Sequence, residues 1–268
     1  MASTLSCTPA HTRLLPWSAR AWFLAALASQ WLFAVYIAWT LVRPLLGADA
    51  ASVDSNRLIT GHVEGDTAGN AMLLGHVLAA AIINLLGLLQ LVPVLRRRLP
   101  SWHRWAGRTF MVLSMLAATS GFYMVWVRGS RLSDVSAAAI TLNGILILLA
   151  VVMAWRLALQ RCFVEHRRWA IRAFLLVSGV WMLRLGLMAW VIINHGPNGN
   201  TSRLDGTFDS IWVFGCYLIP LAVAELYFRA EKGSRAMQFT AASVLALSAL
   251  LTVLGTFGAF SFMWLPRF

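Results

Sequence analysis

The chain has 268 residues, 59% hydrophobic and 12% charged, with a formal net charge of +12. Soluble domains carry about twice that share of charged residues, so the composition excludes an ordinary soluble domain. Of the 22 basic residues, 21 are arginine, and they gather at the ends of apolar runs. The excess therefore reads as membrane topology, and nucleic-acid binding is not expected.

Apolar runs near 20 residues are long enough to cross a bilayer as helices, and lipid offers backbone groups no partner outside one. The first such run, 20–42, follows Arg13 and Arg20. "GADA" beyond it offers small residues near a signal cleavage, but the run is long for a signal core, so a span is expected. The polar stretch 43–70 reads as a solvated extracytoplasmic loop containing His62. In the second run, 71–95, His76 and Gln90 lie 14 residues apart and share a face with Ala80 and Gly87. Arg96, Arg97, Arg98 and Arg104 follow, and the third and fourth runs are 105–127, with Tyr123, and 136–158, with Asn143. A second basic loop holds Arg156, Arg161, Arg167 and Arg168, and the fifth run, 169–193, contains Arg184. His195 follows in the loop "NHGPNGN". The sixth run, 209–229, holds Glu225, the only acid placed within a span. Arg229, Lys232 and Arg235 precede the seventh, 237–262. With Pro93 and Pro220 the notable prolines, no span reads as broken.

The expected fold is an all-α integral membrane bundle of about seven helices, forming one multi-pass domain over 1–268. Basic loops alternate with loops carrying Asp49, Asp54, Glu64, Asp66, Asp134 and Asp205. The positive-inside rule then puts the N-terminus in the cytoplasm and the C-terminus outside, in a bacterial plasma membrane. Cys7, Cys162 and Cys216 show no disulfide or metal spacing.

The most polar motif occurs twice. "SWHRWAGRTF" (101–110) returns as "EHRRWAIRAF" (165–174), with one extra residue between histidine and tryptophan. Each copy opens a span on the basic side. Residues 71–193 are thus expected to be a parallel repeat, with halves 71–135 and 136–193, whose interface is a natural place for a site.

These residues resemble the bacterial membrane-protein family known as domain of unknown function 2306. The resemblance rests on His76, Gln90, His103, Arg104, Gly107, Arg108, His166, Arg167, Trp169, Arg172 and Arg184, over roughly 70–190. Ala170 departs from it, standing where a methionine is usual. It implies a fold and candidate sites but no reaction.

Ionisable groups inside spans are costly unless paired or solvated, so each is a site candidate. By depth they form an inner cluster of Gln90, His103, Arg108, His166, Arg172 and Glu225, with Arg108 or Arg172 as counter-ion to Glu225. An outer cavity would gather His76, Arg184, Asn143 and Tyr123. Their structural alternatives are helix–helix hydrogen bonds and contacts with lipid phosphates. Three functions fit. One is binding or transport of a small anionic or lipid-like ligand. Another is a redox role with quinone or b-type haem, using His103 and His166 as an inner axial pair and His76 with His195 as an outer one. The third is a structural or assembly role. No His-Glu-x-x-His, phosphate loop or Gly-x-Ser-x-Gly occurs, and the residues do not decide whether the protein is an enzyme. Reporter fusions after residues 98 and 165 are expected to read as cytoplasmic; a periplasmic signal at either position overturns the topology.

Overall fold

The computed structural model describes residues 11–47, 53 and 60–268, and all regular structure among them is helical. Helix α1 (His11–Ile37) continues through a π-helical turn, Ala38–Val42, into α2 (Arg43–Leu46). Helix α3 (Thr67–Leu86) ends in a 3-10 turn, Leu88–Leu91, and the short α4 (Pro93–Arg98) leads to α5 (Pro100–Phe122). Then come α6 (Asp134–Leu159), α7 (Phe163–Val177), α8 (Gly179–Ile193), α9 (Thr207–Ala230) and α10 (Arg235–Gly258), the last extended by a π-helical turn, Ala259–Trp264. Six helical stretches are long and apolar enough to cross a membrane; α7 and α8 together would make a seventh, bent by 57°.

The helices outrun the apolar segments because side-chain caps, not hydropathy, decide where they begin. Asp66 accepts from the Gly69 N–H at 2.8 Å, the Ser133 hydroxyl from the Ser136 N–H at 3.1 Å, and the Ser234 hydroxyl from the Met237 N–H at 3.3 Å. Segment 71–95 differs: its long helix ends at Leu91, because Pro93 disfavours helix at Val92 and starts a new one.

The expectation of unbroken spans fails at segment 169–193. Ser178 closes α7 with φ −75° and ψ 0°, and Gly179 opens α8. A Ser-Gly pair is a recognised kink site, and partners from two other helices hold this one open. Gln30 Nε2 of α1 donates to Ser178 Oγ at 2.9 Å, and Asn143 Nδ2 of α6 donates to the Leu176 carbonyl at 3.2 Å. A β-carbon at Gly179 would stand 3.0 Å from Asn143 Nδ2.

The bend changes the neighbours of the fifth span. Helix α7 packs on α6 and α9, whereas α8 packs on α9 and α10. Helix α1 lies along α10 and also meets α3, which packs on α5. Large apolar side chains such as Leu24, Leu149, Leu250 and Phe257 point outward, as a lipid-facing surface requires. Lipid tails are as apolar as leucine, so helix contacts depend on close approach of small residues instead. Phe174 sits 3.1 Å from where a β-carbon at Gly87 would be, and Leu185 C of α8 is 2.9 Å from the same position at Gly255 of α10.

Residues 60–70, the described stretch leading into α3, are tied down by Arg128, whose side chain is 4% exposed. Its Nε donates to Asp66 at 2.8 Å, and its Nη2 to the Gly61 carbonyl at 3.0 Å and to Asn70 Oδ1 at 2.7 Å. The Gly69 N–H and this guanidinium hold the Asp66 carboxyl below its ordinary range. A lowered carboxylate pKa gives its full stabilisation above about pH 3.9 and loses it as pH falls through the lowered value, so the clamp is intact near neutrality.

Gly255→Ala is expected to destabilise the protein by about 1–3 kcal/mol through backbone collision, read as a lower Tm in detergent. Gly75→Ala, where a β-carbon meets nothing within 4 Å, is expected to be neutral or stabilising by up to about 1 kcal/mol. Equal shifts would contradict the α8–α10 approach.

Candidate functional site

Because α7 leans onto α6, space opens between it and α1 and α10. A cavity of about 1890 Å³ occupies that space, lined from α1 (Trp22, Phe23), α5 (His103, Gly107, Phe110), α7 (His166, Ala170, Phe174), α8 (Leu185, Ala189, Ile193), α9 (Phe208, Ala224, Tyr227) and α10 (Leu245, Ser248), so it runs from the basic end along the bent span to the far end. Its wall is mostly apolar, and at the basic end it is lined by Arg20, Arg96, Arg104, Arg108, Arg161 and Arg167.

Gln90 lines this cavity from the 3-10 turn after α3. Both its amide nitrogen and its amide oxygen are buried without a hydrogen-bond partner. The oxygen lies 3.3 Å from the position of a β-carbon at Gly107, so glycine there leaves room for the amide. An unpaired buried amide costs about 1–3 kcal/mol, which makes Gln90 the most unusual group in the cavity.

His103 and His166 line the same cavity, within electrostatic reach of each other. His166 Nδ1 lies 2.8 Å from the Ala154 carbonyl, an acceptor only, so Nδ1 carries a proton. In the neutral ring Nε2 is then the free acceptor or ligand nitrogen. Among the described residues no group of three or more His, Cys, Asp or Glu side chains forms a metal site.

The two motif copies share one physical device. Arg108 stacks over Trp105 at 5.1 Å and Arg172 over Trp169 at 4.8 Å, each pair three residues apart on one helix. Phe110 and Phe174 are both buried in the main core. The spans they open differ, however, since α5 is unbroken to Phe122 and α7 stops at Val177.

The expected inner cluster divides. Gln90, His103, Arg108 and His166 share the cavity, with Arg108 exposed at its rim. Arg172 instead pairs with Glu225 between α7 and α9, Nε to Oε1 at 2.7 Å, outside the cavity lining. Of the two expected counter-ions to Glu225, Arg172 is the one in contact.

Of the residues expected in an outer cavity, His76, Arg184 and Asn143 each take another partner. His76 Nδ1 lies 2.9 Å from Ser120 Oγ, joining α3 to α5. Arg184 is 9% exposed and packs over Phe33 of α1 at 5.3 Å. Asn143 is committed to the helix break, and His195 stands exposed in its loop with φ 53°. Fourteen residues of regular helix would align His76 with Gln90; the 3-10 turn breaks that register, yet both residues meet α5. Sequence reasoning missed Ser178, Gln30 and the Arg128 clamp. Only Ser178-Gly179 left a local signal, a small polar residue beside glycine inside an apolar run. Cys162 is exposed and Cys216 buried, both free thiols, while Cys7 lies outside the described residues.

A family model described as "Predicted membrane protein (DUF2306)" matches residues 73–228. The chain belongs to this family. The match takes in the bent span, both motif copies and Glu225, so the DUF2306 region contains most of the cavity wall. Together with its apolar helices, membership makes this an integral membrane protein. No curated protein and no solved structure matches the chain.

Replacing Gln90 with leucine removes the unpaired amide and is expected to raise the Tm of ligand-free protein, by about 1–3 kcal/mol of stability. A lower Tm would mean that the amide has partners within the fold.

Proposed function

We propose that this protein binds a small amphipathic molecule, anionic or lipid-like, in the cavity at its basic end. The observation that carries this reading is the unpaired, buried Gln90 amide in an apolar chamber with an arginine-rich end. A ligand with an apolar body and an oxygen-bearing head satisfies both: its body fills the chamber, and its head takes bonds from Gln90, the histidines and the arginines. The bend at Ser178 supports movement of such a ligand, because discontinuous helices border substrate sites in many transporters. By the charge rule the basic end of the cavity faces the cytoplasm of a bacterial cell, with the N-terminus on that side.

A second reading, b-type haem or quinone, is favoured by one observation. His166 donates Nδ1–H to a backbone carbonyl, the orientation common in metal-ligating histidines, and His103 shares its cavity. His103 and His166 would hold the haem iron and the rim arginines would pair with its propionates, and the group would supply electron-transfer chemistry.

Protein purified in mild detergent, extracted with organic solvent and analysed by mass spectrometry tests both readings. A stoichiometric amphiphile in the wild type, depleted about tenfold or more in Gln90→Leu and in His166→Ala, is the expected result. A Soret band lost in His166→Ala would replace the first reading with the haem reading. Extracts free of any retained small molecule, from a colourless and folded protein, would overturn both.

A further inference from the structure

We infer a second site, for a phosphate-type oxyanion, in the half of the bundle opposite the basic loops, formed by Arg184 with Trp264 and Arg267. It is separate from the ligand cavity, whose lining does not include Arg184.

Arg184 is nine-tenths buried, and its one hydrogen bond among the described residues is from Nη1 to the Val180 carbonyl of its own helix, at 3.1 Å. A guanidinium has five N–H donors, so most of its capacity is unused. No described acid forms an ion pair with it. Tyr36 of α1 and Arg267, exposed at the end of the last span, are both close enough to act on its charge.

Trp264 supplies an independent sign. It is 1% exposed, and its indole N–H is buried with no acceptor. Its ring stacks on Phe33 at 5.4 Å and on Tyr36 at 5.8 Å, and Phe33 is also the ring under Arg184. An unpaired indole N–H and a guanidinium with donors to spare thus meet around one aromatic wall, with a second arginine at the exposed end of the last span. Buried donors without acceptors are rare in folded proteins. A neutral carbonyl ligand would satisfy the N–H groups but leave two positive charges uncompensated. An oxyanion satisfies both, and the guanidinium fork matches its geometry. The source is either the headgroup of a phospholipid or a free anion.

The test uses full-length protein, delipidated in detergent, with thermal unfolding as readout. Inorganic phosphate, dioleoylphosphatidylglycerol and dioleoylglycerol are added separately. At saturation, phosphatidylglycerol is expected to raise Tm by about 5 °C, by mass action on the folded state. Dioleoylglycerol, which lacks the phosphate, is expected to have no effect. A rise with inorganic phosphate as well identifies a free-anion site; a rise with the phospholipid alone identifies a lipid headgroup. Arg184→Gln is expected to abolish the rise and Trp264→Phe to reduce it, the latter preserving the aromatic wall should the former fail to fold. The proposal is overturned if neither phosphate source raises Tm, if dioleoylglycerol does so equally, or if Trp264→Phe and a folded Arg184→Gln both respond as the wild type does.

Discussion

The interruption at Ser178 governs the arrangement of everything around it. A straight fifth span would lie against one set of neighbours along its whole length. Instead, Gln30 bonds to the Ser178 hydroxyl and Asn143 to the Leu176 carbonyl, so the break has partners on two sides. The Asn143 contact gives a backbone carbonyl at the break a partner within the protein, as a membrane interior requires, and the Gln30 contact pairs two buried side chains. The cavity follows from the change of neighbours at this point, and so does the close seating of α8 on α10.

Much of the plan was legible in the sequence because lipid simplifies the problem. Spans could be counted from apolar runs, and the family resemblance rested on residues that the matched region contains. The chemistry was harder to read. His76 and Arg184 both fell in the outer half of the membrane by depth, but depth says nothing about which neighbour a helix face meets; one faces α5 and the other α1. His76 and Gln90 lost their common register at the 3-10 turn just before Pro93, a proline that was visible in the sequence but read as leaving the span unbroken. Gln30 carried no signal, since a glutamine in an apolar run acquires meaning only when its partner 148 residues away is known.

The duplicated motif has a physical content narrower than its length. What recurs is a tryptophan carrying an arginine one helical turn later, followed by a phenylalanine in the core. Stacking holds the guanidinium against an aromatic face. The extra residue before Trp169 turns this unit by about 100° relative to the histidine. Trp105 accordingly faces outward, whereas Trp169 is half-buried and its arginine reaches Glu225.

The adjacency of the first and last spans bears on how the molecule is made. Ser29 Oγ lies 2.6 Å from Thr256 Oγ1, across 227 positions of chain, and receives the Trp181 indole N–H at 2.9 Å. A ribosome releases the first span long before either partner exists. The contacts between α1 and α10 form only once α10 has been made, and contacts so distant in sequence are slow to form.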